Sequence, residues 1–386
     1  MRKIITVTGE IAPEELGVTS MHEHTLHDAA LLTKVMLCGT PDMLRGVRSY
    51  ENGSDIRAER QRRQDSGITV PSMSVAEVLR SMRLKKGSPA AKLTQEQYYR
   101  EELALFALHG GSALCDCSPL LPGCAYLSQI QELSRQTGVL IVTAAGYYTK
   151  PMIPKKDFLA GEGAMQRQIE QMLGQGDPRS GVRCGFVKAA IGTVAEGVLS
   201  PWELTAVRAA ARAAKHYGVS LHIHTAFPVR KAMVLSLAAT LEHEIGLDPQ
   251  KVVFCHMDSY NIGVGNPAAC INAEGYDLTL PRELCRRGFN IGLDTWGVRA
   301  GKPETDAFML AARKSMLLAL LAEGFTGQIT LGHDMMSVGS GAQNGGGGYL
   351  LWPDTLARMR KNGQLTEEAW HLLAVENPAR ILTAEG

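Results

Sequence analysis

The chain alternates short apolar runs with longer stretches in which apolar residues recur at helical spacing. Each run is as short as a buried strand and is bounded by polar or glycine-containing segments. Eight such runs occur, at residues 16–21, 112–117, 139–145, 185–190, 219–224, 252–255, 289–293 and 328–331.

Two of the stretches between these runs, 202–216 and 307–323, have a clear helical pattern. The first ends just before Gly218, and glycine commonly terminates helices. Strands that alternate with helices pair in parallel through right-handed crossovers. Eight such units in one chain predict an α/β protein with a closed (β/α)8 TIM barrel rather than an open sheet.

The interval between the first and second predicted strands is unusually long, and residues 30–95 within it are polar and charged. We predict a single domain over 1–386, with 30–95 as an insertion after the first strand. Loops that follow barrel strands rise from the active-site face, so the insertion would lie over or beside that site. A solvated excursion or a contact between subunits is the alternative.

Composition excludes several classes of protein. The 386 residues are 45% hydrophobic and 20% charged, as in a globular protein with a large core. The net charge of +1 favours neither nucleic acid nor an anionic membrane, so a small-molecule substrate is expected. We find no transmembrane stretch and no export signal, and the eight cysteines predict free thiols in a reducing cytoplasm.

Histidines follow several of the predicted strands. His22 and His24 are two residues apart at the end of the first, and His222 and His224 repeat this spacing on the fifth. Alternate side chains of a strand share a face, and neutral imidazoles aimed at one point suit a cation such as zinc. Either pair alone is weak support for a metal site, because one member can simply pack inside the barrel.

Two further strand ends strengthen the pattern. The sixth predicted strand ends at His256, and the eighth is followed by His333 and Asp334. In a closed barrel the first and eighth strands are neighbours, and the fifth and sixth face them, so one cavity would collect these groups.

Lys188 interrupts the apolar run of the fourth strand. A buried, unpaired ammonium is costly, so this lysine must be paired, neutral or modified. Three interpretations remain open: a salt-bridged core lysine, a Schiff-base lysine, and a lysine carboxylated by CO2 that bridges two metals.

In combination these motifs resemble the phosphotriesterase family of the amidohydrolase superfamily. The matching segments are GVTSMHEHTLHD (17–28), GFVKAAIG (185–192), VSLHIHT (219–225), VVFCHMDS (252–259), FNIGLD (289–294), LGHD (331–334) and ENPARIL (376–382). The resemblance implies a TIM barrel with a binuclear centre of two divalent metal ions, Zn2+ or alternatively Mn2+ or Co2+. It implies that one metal is held by His22, His24 and Asp334, the other by His224 and His256, and that carboxylated Lys188 bridges them.

The resemblance also implies hydrolysis of an ester bond, of a lactone or a carboxylic ester, with an organophosphate as the alternative substrate. A hydroxide bridging the metals would attack the substrate, and Asp334 would act as the general base. A Schiff-base lyase that uses Lys188, or a metal-binding barrel without catalysis, are alternatives of another class. Family members are often homodimers, which is the expectation here.

Four further residues are candidates for lesser roles. Asp294, at the end of the seventh strand, would orient a metal ligand. Tyr147, beside Tyr148 after the third strand, would line the substrate pocket or only pack against its loop. Arg299 and Lys302 would bind an anionic group of the substrate or lie in a solvated loop.

Overall fold

Eight consecutive strands form one parallel sheet, in which each strand pairs with the next along the chain. A short antiparallel hairpin, β1 (Ile4–Thr6) and β2 (Gly9–Ile11), precedes the sheet. The sheet strands are β3 (Thr19–Glu23), β4 (Ala113–Asp116), β5 (Leu140–Gly146), β6 (Phe186–Ile191), β7 (Leu221–Thr225), β8 (Val252–Phe254), β9 (Asn290–Leu293) and β10 (Ile329–Leu331). Every predicted strand therefore exists within a few residues of its expected bounds.

The computed structural model describes residues 2–27, 92–118, 126–192, 199–225, 231–258, 278–299, 301–335 and 341–385. Most of the insertion predicted at 30–95 lies outside these ranges. Its position over or beside the barrel therefore stays a prediction.

The first and last strands of the sheet meet, so that the barrel is nearly closed. The backbone N–H of Asp334 donates to the carbonyl oxygen of His22 at 3.1 Å. Gly332 lies so close to β3 that a Cβ built on it would be 2.8 Å from the N, O and Cβ atoms of His22. The predicted TIM barrel is thus confirmed, and its closure needs a residue without a side chain at 332.

Helices follow most of the strands and cover the outside of the barrel. They are α1 (Gln95–Leu108), α2 (Leu127–Thr137), α3 (Lys155–Ala160), α4 (Glu162–Gly174), α5 (Pro201–Tyr217), α6 (Lys231–Ala239), α7 (Thr279–Arg286), α8 (Pro303–Ala322), α9 (Leu351–Lys361), α10 (Glu367–His371) and α11 (Asn377–Leu382). α5 confirms the helix predicted at 202–216, and Gly218 ends it in the left-handed conformation at φ 62°. Among the helices described, none is both long and apolar enough to cross a membrane.

Side chains of the barrel strands alternate between the interior and the surrounding helices. On β6, Val187 and Ala189 pack in the large core between strands and helices, whereas Phe186 packs in a smaller cluster inside the barrel. Because a strand repeats every two residues, Lys188 lies on the same side as Phe186, inside the barrel. Ile4 of β1 also belongs to the interior cluster, so the hairpin, which the sequence did not predict, contributes to the barrel core.

We expect Gly332→Ala to destabilise the metal-free protein by about 1–3 kcal/mol, because the added methyl group would collide with backbone atoms that cannot move aside. The measurement is urea unfolding followed by circular dichroism. Gly327→Ala is the matched control, since a Cβ at Gly327 would meet nothing within 4 Å. Equal stability of the two variants would contradict the close approach of β10 and β3.

Candidate metal centre

Six predicted ligands converge at the carboxyl ends of the barrel strands. The Nε2 atom of His22 lies 3.2 Å from Nζ of Lys188 and 3.6 Å from Oδ1 of Asp334. Nε2 of His24 lies 3.1 Å from the same carboxylate oxygen. On the other side, Nδ1 of His224 lies 2.8 Å from Nε2 of His256, and the His22 and His256 rings are 4.6 Å apart. The structure thus brings together His22, His24, Lys188, His224, His256 and Asp334.

Asp294, after β9, is hydrogen-bonded to two of these imidazoles at once. Its Oδ2 lies 2.8 Å from Nδ1 of His22, and its Oδ1 lies 2.9 Å from Nδ1 of His256. Oδ1 also accepts the backbone N–H of His256 at 2.8 Å. A carboxylate that accepts the Nδ1 proton leaves Nε2 free as a ligand atom. Gly292 makes this possible, because a Cβ there would collide with the Asp294 carboxylate.

The backbone is strained at two of the converging residues. His256 has φ 64° and Asp334 has φ 53°, and in the described part of the chain no other non-glycine residue has a positive φ. This region costs energy for residues with a side chain, and such conformations concentrate at functional sites. His256 lies two residues after β8 and Asp334 lies three residues after β10, and at each the left-handed turn redirects the side chain toward the cluster.

His24 is oriented by a residue that sequence reasoning missed. Its Nδ1 lies 3.2 Å from the hydroxyl of Ser118, and the Ser118 backbone N–H donates to Asp116 at 2.9 Å. The hydroxyl of Thr25 donates to the same Asp116 carboxylate. The signal in the sequence was Asp116 itself, a carboxylate within the apolar Cys-Asp-Cys run of the second barrel strand. Cys115 and Cys117 are buried free thiols.

Burial and neighbouring charges keep two of the imidazoles neutral. Burial, reinforced by the positive charge of unmodified Lys188, lowers the pKa of His22 to about 3. Burial and His256 hold the pKa of His224 well below its usual value. Burial alone would raise the pKa of Asp334, but His256 and the hydrogen bond from His24 outweigh it and hold that pKa far below the usual range. Neutral imidazoles and an ionised carboxylate are the forms that bind divalent metals. Asp294 and Asp334 outweigh burial and raise the pKa of His256, so this imidazole would release a proton when a metal binds.

The donor set fits a divalent cation. One ligand atom each of His22, His24 and Asp334 lies within 4.8 Å of the others, and metal bonds of about 2.0–2.2 Å place ligand atoms at comparable spacing. A second group, His22, Cys255 and Asp294, is also close enough. It fits less well, because burial raises the pKa of the Cys255 thiol and Asp294 is engaged by both imidazoles.

Several other predicted residues lie elsewhere. His222 is buried beneath the cluster, with Nε2 3.2 Å from the Ser220 hydroxyl, and His333 pairs with Glu23 at 2.6 Å. Arg299 pairs with Asp306 at 3.3 Å and donates to the Gly345 carbonyl at 2.7 Å. Lys302 precedes α8, where its carbonyl accepts the Asp306 N–H at 2.8 Å.

The two neighbouring tyrosines differ in what they contact. The hydroxyl of Tyr147, the predicted pocket residue, lies 3.5 Å from Asp157 rather than in the cluster. The hydroxyl of Tyr148 lies 3.0 Å and 3.1 Å from the two ring nitrogens of His224. Sequence reasoning could not choose between them, because the turn after the strand decides the direction of each of these adjacent side chains.

The protein is a parallel barrel with a histidine-rich polar cluster at the carboxyl ends of its strands. It therefore belongs to the class of barrel proteins that carry their functional site on this face. Within that class, the profile of the Phosphotriesterase family matches residues 2–382. The chain therefore belongs to the phosphotriesterase family, as its motifs had indicated.

Similar proteins align with this chain over nearly its whole length. The chain is 24% identical to the N-acetyltaurine hydrolase of Tetraodon nigroviridis over 394 residues, which cover 99% of this chain and 98% of that protein. The structure of a phosphotriesterase homology protein from Escherichia coli with phosphate in its active site superposes with a TM-score of 0.67 at 18% identity, covering 95% and 99% of the two chains. The lactonase Lmo2620 from Listeria monocytogenes gives 0.66 at 19% identity, with both chains fully covered. At these identities the two structures establish the shared fold.

The pair Tyr148→Phe and Tyr147→Phe tests which tyrosine serves the site. We expect Tyr148→Phe to lower kcat/KM about tenfold, because a hydroxyl that contacts His224 is lost from the cluster. Tyr147→Phe should leave kcat/KM unchanged, since its hydroxyl faces Asp157. Steady-state kinetics on the best substrate of the wild-type protein is the measurement. The reverse ranking would return Tyr147 to the substrate pocket.

Proposed function

We propose that this protein is a binuclear metal-dependent hydrolase that cleaves the ester bond of a lactone or a carboxylic ester. The observation that carries the proposal is the convergence of four imidazoles and an ionised carboxylate around one buried lysine. In this assignment His22, His24 and Asp334 hold one metal, and His224 and His256 hold the other. Zn2+ is the expected metal, and Mn2+ and Co2+ are the alternatives.

Lys188 is proposed to bridge the two metals as a carboxylated lysine. Its side chain is 1% exposed, and within the described ranges no carboxylate forms an ion pair with it. Its Nζ lies 3.2 Å from Nε2 of His22 and 3.6 Å from the thiol sulfur of Cys255. Burial disfavours a charged ammonium, but Cys117, Cys255, Asp294 and Asp334 outweigh burial and raise the pKa of the unmodified lysine. Carboxylation by CO2 would replace this cation with an anion that suits two divalent metals.

When bound, two metals would lower the pKa of a water molecule and polarise the substrate's acyl oxygen. The protein's own groups then have separate tasks. Asp334, ionised and held in a strained conformation, accepts the proton released during attack. Asp294 keeps the Nε2 atoms of His22 and His256 directed at the centre. Tyr148, whose hydroxyl touches His224, is proposed to contact an oxygen of the substrate.

Hydrolysis of an acyl amide is a second candidate. The observation in its favour is that relatives named N-acetyltaurine hydrolase align with 99% of this chain. An amide and an ester carry the same acyl carbon, so one centre can attack both, and the leaving group decides between them. A phosphoester is a third candidate, favoured by the family and by the Escherichia coli neighbour with phosphate in its active site.

Elemental analysis and a substrate panel test the proposal together. We expect about two divalent metals per chain, and activity that chelation abolishes and Zn2+, Mn2+ or Co2+ restores. The panel contains lactones, aryl esters, N-acyl aminosulfonates and phosphotriesters, so that the preferred bond is read directly. A metal-free protein that hydrolyses none of them would overturn the proposal. Borohydride trapping of a substrate on Lys188 would instead support a Schiff-base lyase.

Two substitutions separate the roles of the central residues. Asp334→Asn should retain most of the metal and lower kcat at least a hundredfold, because the proton acceptor is lost. Lys188→Ala should lose metal, and a small carboxylic acid added to the buffer should partly restore both metal and activity. Full activity of Lys188→Ala with two bound metals would exclude the bridging role.

A cytoplasmic location is part of the proposal. All five cysteines in the described ranges are free and buried, which fits a reducing compartment.

A further inference from the structure

Behind Asp294 lies a second layer of buried polar groups that the metal centre does not use directly. The carboxylate of Asp258, after β8, accepts the backbone N–H of Asp294 at 3.2 Å and that of Thr295 at 3.0 Å. It also accepts the Thr295 hydroxyl at 2.8 Å. Asp258 therefore fixes the first two residues of the turn that follows β9.

Arg313, on α8 outside the barrel, completes this layer. Its Nε lies 3.4 Å from Oδ2 of Asp258. Its Nη2 donates to the Thr295 hydroxyl at 3.1 Å and to the Val298 carbonyl at 3.4 Å. The guanidinium thus contacts both the carboxylate that holds the turn and two residues of the turn itself.

Burial makes the pair of Asp258 and Arg313 unusual. Asp258 is 0% exposed and Arg313 is 3% exposed. A fully buried ion pair is weak support for stability, because desolvation offsets much of the attraction. The ion pair of Asp258 and Arg313 instead contributes by fixing the geometry around it, which here is the backbone position of Asp294.

We propose that Asp258 and Arg313 are positioning residues of the metal centre, which set the backbone of Asp294 and through its carboxylate aim His22 and His256 together. The inference rests on the proposed metal centre. Its distinctive consequence concerns both metals, because His22 and His256 are assigned to different ions. A displaced Asp294 would release both imidazoles, whereas damage to one ligand would weaken one site.

The test is titration of the metal-free protein with Co2+, followed by its visible spectrum. We expect Arg313→Met to weaken the binding of both Co2+ equivalents by roughly 10- to 100-fold, the usual effect of losing a group that orients metal ligands. Arg313→Lys keeps the charge but not the planar fork of donors, and should recover part of the affinity. Asp258→Asn, which keeps the shape but removes the charge, should behave like Arg313→Met.

Arg287→Met is the matched control. Arg287 also forms a partly buried ion pair, with Glu242, and donates to the Leu235 carbonyl at 3.3 Å, but these contacts lie among outer elements. The control should lower the melting temperature and leave both Co2+ affinities within about twofold of wild type. Equal weakening in Arg287→Met and Arg313→Met would reduce the role of Arg313 to general stability and overturn the inference.

Thr295→Val keeps the test decisive if Arg313→Met fails to fold. It removes only the hydroxyl that links Arg313 to Asp258, and it should weaken both Co2+ equivalents in the same direction. Wild-type affinity for both equivalents in a folded Thr295→Val and Arg313→Lys, or loss of one equivalent alone, would overturn the inference.

Histidine-selective 15N spectra of the metal-free protein provide a readout that needs no metal. In wild type, His22 and His256 should both carry the ring proton on Nδ1, facing Asp294, and in Arg313→Met both should exchange between tautomers. A wild-type protein that binds no Co2+ would defeat the proposed function, while these spectra would still decide whether Arg313 positions the two rings. Unchanged spectra in Arg313→Met would overturn the inference by themselves.

Discussion

The candidate site depends on one buried carboxylate that is shared by two imidazoles. Asp294 bonds Nδ1 of His22 at 2.8 Å and Nδ1 of His256 at 2.9 Å, and so directs the opposite nitrogens of both rings into the barrel mouth. Burial disfavours its charge, but His256 and His22 outweigh burial and hold the pKa of Asp294 well below its usual value. The negative charge of Asp294 is stable only while the imidazoles of His22 and His256 keep their positions. Asp294 therefore couples the ends of β3, β8 and β9.

The barrel supplies that position because its strands end close together. Lys188 lies on β6, His24 directly follows β3, and Asp334 follows β10 and is hydrogen-bonded to His22 of the neighbouring strand. Rigid strand ends hold chemical groups more precisely than loops do. This arrangement costs conformational energy at His256 and Asp334, which have positive φ. The surrounding packing must offset that energy.

Polar groups behind the site extend this constraint outward. Asp116 and Ser118 support His24, and Asp258 supports the turn that carries Asp294. Each network is buried, so every donor that loses its partner would remain unsatisfied in a low-dielectric interior. Such networks therefore restrict the site to one arrangement, and this restriction is what a centre for two adjacent cations requires.

The sequence by itself determined the eight strands, the two long helices and the residues that could meet at the strand ends, because short apolar runs, helical periodicity and His-x-His spacing are local signals. It also indicated Asp294 as an orienting residue. The tertiary structure alone decided which residues contact one another. His22 and Asp294 are separated by 272 positions, Ile4 of the hairpin packs with residues of distant strands, and the turn after β5 directs Tyr148 rather than Tyr147 to His224. No local pattern encodes these contacts, because they arise from barrel closure, which brings strand ends distant in sequence within hydrogen-bonding distance.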